Sequence, residues 1–168
     1  LNYAKEHRIQ MVDLKFIDLL GTWQHFSFPM SELEEEVFED GLGFDGSSIR
    51  GWKSIDSSDM LVIPDPTTAI VDPFNTYKPT LSLLANIVDP ITREPYSRDP
   101  RYVAKKCEAY VQSTGLADTI YIGPEPEFFI FDQIRYGTAA AHSFYEIDSE
   151  EGAWTPGRGG DMPTLGPR

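Results

Sequence analysis

The chain has 168 residues, 40% of them hydrophobic, with 10 Phe, 8 Tyr and 3 Trp, which is the apolar content of a folding globular protein and excludes a disordered one. Its 27 acidic residues against 14 basic ones give a formal net charge of −13, and no basic cluster exceeds the pair Lys105-Lys106. That excludes the concentrated basic face that nucleic acids and anionic membranes require.

The single cysteine, Cys107, rules out an internal disulfide framework and fits a reducing compartment, so a cytoplasmic protein is expected. No apolar stretch reaches the roughly 18 to 20 residues of a membrane span, and the first ten residues are mixed and charged rather than signal-like. The sequence opens on Leu1 rather than Met and closes on Gly160-Asp161-Met162-Pro163-Thr164-Leu165-Gly166-Pro167-Arg168 with no periodic element, which predicts a piece of a longer protein.

Val12, Leu14 and Phe16 alternate with Asp13, Lys15 and Ile17, which predicts a strand. Gly21-Thr22 turns the chain into a second strand from Trp23 that Pro29 ends, making a hairpin. Ser31-Glu32-Leu33-Glu34 has capping-box spacing and predicts a short acidic helix over residues 32–40, stopped by Gly41. A glycine- and serine-rich loop follows over residues 41–53. Short strands are then expected over residues 60–63, 69–71 and 81–88, between proline-containing turns.

The Pro/Arg/Asp-rich stretch 89–100 interrupts every period and marks a domain boundary. Asp99 as N-cap and Pro100 at the first helical position open a helix to about residue 114. Its Val103, Cys107, Tyr110 and Val111 fall on one face, which predicts a buried Cys107 rather than a reactive thiol. A strand is expected over residues 120–131, and after Asp132 the signals weaken. Glu146, Asp148, Glu150 and Glu151 read as a solvated loop.

Two segments carry candidate chemistry. In Gly123-Pro124-Glu125-Pro126-Glu127-Phe128-Phe129-Ile130-Phe131, an extended backbone puts the carboxylates of Glu125 and Glu127 on one face, about 6.5 to 7 Å apart. Entering an apolar core, such a pair is costly unless ion-paired, protonated or metal-bound, and hard oxygen donors suit Mg²⁺ or Mn²⁺. The alternative is a wet strand end where Pro124 and Pro126 break the ladder, and the spacing leaves both open.

In Gly43-Phe44-Asp45-Gly46-Ser47-Ser48-Ile49-Arg50-Gly51-Trp52, glycines flank an aspartate that projects from a loop able to approach a ligand closely. Asp45 then orients a cation or accepts a proton, or it simply closes an Asx turn on the amides two residues ahead. The loop lacks the GxxxxGK[ST] and GxGxxG patterns, so it is no phosphate loop. His7, His25 and His142 are isolated in sequence and read as structural or exposed.

Taken together, Phe44-Asp45-Gly46-Ser47-Ser48-Ile49, Trp52-Lys53, Ser58-Asp59-Met60, Asp99-Pro100-Arg101 and Gly123-Pro124-Glu125-Pro126-Glu127-Phe128-Phe129, in that order and spacing, resemble type I (bacterial) glutamine synthetase. Val12-Asp13-Leu14-Lys15-Phe16 with Gln24-His25, and Asp148-Ser149-Glu150-Glu151-Gly152-Ala153-Trp154, are similar as well. The resemblance implies an α+β fold: a small β-grasp-like domain over residues 1–92, then the truncated start of a catalytic α/β barrel-like domain over 93–168.

It also implies an ATP-dependent glutamate–ammonia ligase that activates the side-chain carboxylate of glutamate as a γ-glutamyl phosphate, which ammonia then displaces. On this resemblance Glu125 and Glu127 bind two different Mg²⁺ (or Mn²⁺) ions. Asp45 binds ammonium and assists its deprotonation, and Ser48 supports the loop and shares in substrate binding. The family's assembly is a homododecamer of two hexameric rings, in which this loop completes a neighbouring subunit's site.

ATP-site residues and the remaining metal positions fall beyond Arg168 in the family, so no ligase activity is expected of this chain alone. Two rivals are a non-catalytic synthetase-like subunit acting in assembly or regulation, and a ligase that joins glutamate to another amine. The Asp45 loop argues against the latter, because an ammonium-binding aspartate is expected where ammonia is the nucleophile.

Overall fold

A computed structural model describes residues 1–149. The chain divides into two compact units, Leu1–Ile120 and a second that begins at Tyr121. After a short helix α1 (Asn2–Glu6), strands β1 (Met11–Ile17) and β2 (Trp23–Pro29) form the expected hairpin, with Met11 opposite Pro29 and Ile17 opposite Trp23. The buried Asp18 closes its turn by accepting the N–H groups of Leu20 and Thr22 and the side-chain amide of Gln24, each at 2.9 Å. Gly21 supplies the positive φ of +84° that this turn needs.

The sheet is organised around β6 (Thr80–Val88). β1 runs parallel to it, whereas β4 (Asp59–Pro64) and the two-residue β5 (Ile70–Val71) run antiparallel to it. β3 (Leu42–Asp45) pairs with β4, so the order across the sheet is β2-β1-β6-β4-β3.

The register puts Val12, Leu14, Phe16, Phe44, Met60, Val62, Leu81, Leu83, Ala85 and Ile87 on one face. Of these only Phe44 is not fully buried. At about 1.5 to 3 kcal/mol for each fully buried large aliphatic side chain, this face is the main source of stability. Thr80 and Ser82 are buried on the opposite face, which makes β6 a strand covered on both sides.

α3 (Pro100–Ser113) begins where the sequence predicts. Asp99 is 1% exposed, and its carboxylate accepts the N–H of Arg101 at 2.9 Å and that of Ile87 at 3.2 Å, which ties the helix start to β6. Burial raises its carboxyl above the ordinary value of 3.8, against the lowering effect of these bonds. Ionisation of Asp99 therefore costs stability as pH rises from the unfolded value to the folded one. Asp99→Ala is expected to destabilise the chain by about 2 to 4 kcal/mol, by losing a cap and orphaning the Ile87 amide. Asp99→Asn never ionises but keeps one acceptor oxygen where Asp99 uses both, for Arg101 and Ile87, so it should recover only part of the loss. Denaturation midpoints of both variants above and below pH 4 (about the unperturbed carboxyl value) provide the check.

Other expectations need correction. The helix over 32–40 is split into a 3₁₀ turn, Met30–Glu32, and α2 (Glu36–Asp40). Leu33 lies between them with extended backbone (φ −87°, ψ 91°), because its side chain is drawn into the core. The loop over 41–53 begins with β3, which β4 recruits by pairing. Cys107 is exposed, as are Val103 and Tyr110. Within its unit α3 is tied to the sheet side through its first turns, where Arg101 pairs with Asp65 and Lys105 bonds Asn86, so no described residue of that unit buries Val103, Cys107 or Tyr110.

Residues 120–131, all but the first of them in the second unit, form no strand, since no described strand offers them a ladder partner. The region read as weakly structured contains a hairpin, β7 (Gln133–Ala139) and β8 (His142–Asp148), so Glu146 and Asp148 lie on a strand rather than in a loop, whereas Glu150 and Glu151 lie outside the described residues. The exposed pair Arg135–Glu146 bridges this hairpin at 3.0 Å. No helix among the described residues is long and apolar enough to cross a membrane.

Candidate functional site

Asp45 is the last residue of β3, opposite Asp59, and it projects from the face away from Phe44, which is turned into the core. Gly46 follows, buried against β4: its N–H donates to the Ser58 carbonyl at 2.7 Å, and a Cβ there would meet Met60 Sδ at 2.3 Å. Only glycine permits this approach. The chain then makes one 3₁₀ turn over Gly46–Ser48 and plunges back, burying Ile49 and Trp52.

Asp45 Oδ1 accepts the Ser47 N–H at 2.8 Å and the Ser47 hydroxyl at 2.6 Å. The Asx turn is therefore present, yet the carboxylate stays exposed and keeps acceptor capacity toward solvent. Bonds from the Ser47 hydroxyl and then the Ser47 amide, with a smaller one from the Ser58 hydroxyl, hold its carboxyl below the usual value of 3.8. Asp45 is thus an anion throughout the neutral range. Ser47→Ala is expected to move its titration upward toward 3.8, as read by NMR of the Asp45 carboxyl; an unmoved midpoint would mean that the Ser47 bonds do not set the charge.

Ser48 is exposed, and its hydroxyl has no hydrogen-bond partner among the described residues. The serine on the carboxylate is Ser47, and the Asp-Gly-Ser spacing is the signal for it.

Glu125 and Glu127 lie in the second unit on exposed, irregular backbone, and neither makes a hydrogen bond or ion pair with a described residue. Phe128, Phe129 and Ile130 beside them are more than 70% exposed. As a donor set the two carboxylates fit a hard divalent cation, having no competing partner to displace. No group of three or more His, Cys, Asp or Glu side chains is assembled among the described residues, so further ligands are not supplied there.

One polar cluster escaped the sequence reading. On the outer face of the hairpin, Asp13 Oδ1 accepts the Ser27 hydroxyl at 2.8 Å and lies 2.8 Å from His25 Nδ1, while Lys15 sits 3.6 Å from both Asp13 and Asp72. The strand alternation places all of them on one face, but only the register Asp13–Ser27 and Lys15–His25 brings them together. His7 packs against the Tyr3 ring at 4.4 Å and His142 opens β8, so no histidine lies in the Asp45 loop or near Glu125 in sequence.

Comparison with known proteins gives a consistent family. Residues 8–90 match the glutamine synthetase β-grasp domain, and residues 97–165 match the glutamine synthetase catalytic domain. Glutamine synthetase of Aquifex aeolicus is 54% identical over 154 residues, covering 92% of this chain and 33% of the relative. That of Frankia alni is 51% identical over 166 residues, covering 99% and 35%.

Among solved structures, Plasmodium falciparum glutamine synthetase superposes with a TM-score of 0.72 at 28% identity, over 88% of this chain and 28% of that one. GmaS in complex with ADP does so with a TM-score of 0.60 at 27% identity, over 67% and 25%. The chain spans about a third of the length of the curated relatives it matches.

Proposed function

We propose that this chain, which belongs to the glutamine synthetase family, forms the β-grasp domain and the start of the catalytic domain of an ATP-dependent glutamate–ammonia ligase. The supporting observation is the succession of both domain matches along one chain, the Asp45 loop in the first and the Glu125/Glu127 segment in the second. We place the domain division after residue 92, between the two family matches, whereas the compact unit Leu1–Ile120 also takes in α3, which is held through Asp99 and Arg101.

In the reaction, glutamate's side-chain carboxylate takes the terminal phosphoryl group of ATP to give γ-glutamyl phosphate. Ammonia nitrogen then attacks the acyl carbon, the bond to the phosphate oxygen breaks, and glutamine and inorganic phosphate leave. A nucleotide-bound relative, GmaS with ADP, fits the use of ATP. Glu125 and Glu127 would each hold an Mg²⁺ or Mn²⁺ ion, which supplies charge neutralisation of the transferring phosphoryl group.

Asp45 attracts ammonium with its exposed negative charge and holds the nitrogen in place for attack. The Ser47 bonds that lower its carboxyl make it a weak base toward ammonium, whose pKa is about 9. Asp45 therefore binds and orients the cation and assists its deprotonation by relaying one proton to bulk water, and the second proton leaves with the departing phosphate as the C–N bond forms. Ser48, exposed beside it with an unpartnered hydroxyl, is a second ligand for the same cation. The assembled enzyme is a cytoplasmic homododecamer of two hexameric rings, in which this loop serves the neighbouring subunit's site.

The test is glutamine formation from glutamate, ATP, ammonium and Mg²⁺, measured for this chain and for the full-length protein that contains it. Activity only in the full-length protein is expected. Activity in neither would favour a non-catalytic subunit acting in assembly or regulation, and activity in this chain alone would overturn the need for further domains.

A further inference from the structure

The loop that carries Asp45 has one firm end and one end without a partner of its own. At the firm end, β3 pairs with β4 and Gly46 is wedged against Met60. Beyond Ser48 there is no ladder. Successive turns, Ile49 N–H to the Gly46 carbonyl at 3.2 Å and Trp52 N–H to the Ile49 carbonyl at 3.1 Å, carry the chain to Gly51 and Trp52. Their carbonyls point out of any regular element and need donors from elsewhere.

Those donors come from residues 96–98, 44 to 47 positions away in sequence. The Tyr96 hydroxyl donates to the Trp52 carbonyl at 2.9 Å. Arg98 Nη1 donates to the Gly51 carbonyl at 2.6 Å and to the Trp52 carbonyl at 3.2 Å. The Tyr96 ring packs on the Trp52 ring at 5.2 Å, and Lys53 Nζ lies 5.7 Å over the Tyr96 ring and 3.9 Å from Asp89. Burial raises the Tyr96 phenol above 10.0, so it remains a donor.

Residues 96–98 form a strap that is itself anchored at both ends. Tyr96 N–H donates to the Ile87 carbonyl at 2.8 Å, Val88 and Pro95 form a β-bridge, and Asp99 caps α3 immediately after Arg98. Apart from the turn bond of its backbone N–H to Ile49, Trp52 has no other polar hold among the described residues, since its buried indole N–H lacks a partner. Its ring meets Phe44 at 6.3 Å and Phe16 at 5.5 Å. Phe44 precedes Asp45 directly, so the Trp52 ring braces the end of β3 from which Asp45 projects, in addition to the β3–β4 pairing.

We infer that Tyr96 and Arg98 are positioning residues for the ammonium-binding loop, locking Gly51 and Trp52 so that Asp45 is presented in one place. This deepens the proposed function and rests on the role given there to Asp45. Neither residue touches substrate; both act through Trp52 and Phe44. A ligand as small as ammonium offers no second anchor to correct a misplaced carboxylate, so its affinity should respond to the strap while that of ATP does not.

The test uses the full-length protein carrying Tyr96→Phe, Arg98→Ala, Arg98→Lys or Asp45→Ala, with steady-state kinetics and hydrogen exchange of the amides 46–53. Tyr96→Phe keeps the ring and loses one hydrogen bond, so KM for ammonium should rise about three- to tenfold. Arg98→Ala loses two charge-assisted bonds and should raise it about ten- to fiftyfold, with Arg98→Lys recovering part. KM for ATP and for glutamate should be unchanged, and exchange should quicken in 46–53 without a matching change in β6.

Unchanged exchange in 46–53, or a uniform loss of all activities with lowered global stability, overturns the inference. So does an ordinary ammonium KM in the strap variants where Asp45→Ala raises it. Ordinary ammonium kinetics in Asp45→Ala would instead sink the role of Asp45 and the inference with it.

Discussion

Glu127→Ala in the full-length protein is expected to lower Mg²⁺-dependent glutamine formation by about a thousandfold or more, because it removes a hard anionic donor from an ion that neutralises phosphoryl transfer. Glu127 has no partner among the described residues, so the substitution breaks no ion pair and orphans no buried group. Folding should therefore survive, and the loss can be read as chemistry rather than stability. Raising Mg²⁺ should restore only a small part of the rate, while Glu127→Asp, a shorter carboxylate, should restore more. Mn²⁺ binding followed by electron paramagnetic resonance should show a lost or weakened site. Full turnover of Glu127→Ala at ordinary Mg²⁺ would remove this residue from the metal.

Asp45→Ala is the second large effect. Its exposed carboxylate is held ionised by Ser47, and loss of a charge-assisted contact to a small cation is worth about 2 to 3 kcal/mol, or roughly 30- to 150-fold in KM for ammonium. ATP binding should be unaffected, since the substitution is confined to an exposed side chain beside a backbone held by Gly46 and the β3–β4 pairing. Asp45→Asn separates charge from shape: it can still accept from Ser47, but it no longer attracts a cation. If Asn performs like Asp, electrostatic attraction is not what the residue contributes, and unchanged ammonium kinetics in Asp45→Ala would take it out of the site.

The candidate segments were legible because their signals are local. An aspartate between glycines and followed by serines announces its turn within three residues, and the Asp45–Ser47 bonds span two positions. The cap of α3 is equally local, with Asp99 bonded to Arg101 and Pro100 beginning the helix. The hairpin was readable from alternation alone, and its register then follows from putting Val12, Leu14 and Phe16 on the core side. The pair Glu125/Glu127 was legible as two carboxylates, although the strand expected to carry them has no described partner and does not form.

By itself, then, the sequence determined the two family segments, the hairpin, β4, β6 and the capped start of α3, since period-two patterning, capping and proline act over a few neighbouring residues. Only the tertiary structure decided which way Leu33 turned, whether residues 42–45 became a strand, and that Cys107 stays exposed within its unit. It alone brought Asp13 to His25 and Ser27, and Tyr96 and Arg98 to the carbonyls of Gly51 and Trp52. These contacts join residues from 12 to 47 positions apart, and a backbone carbonyl left open by one segment says nothing in the sequence about which distant side chain will donate to it.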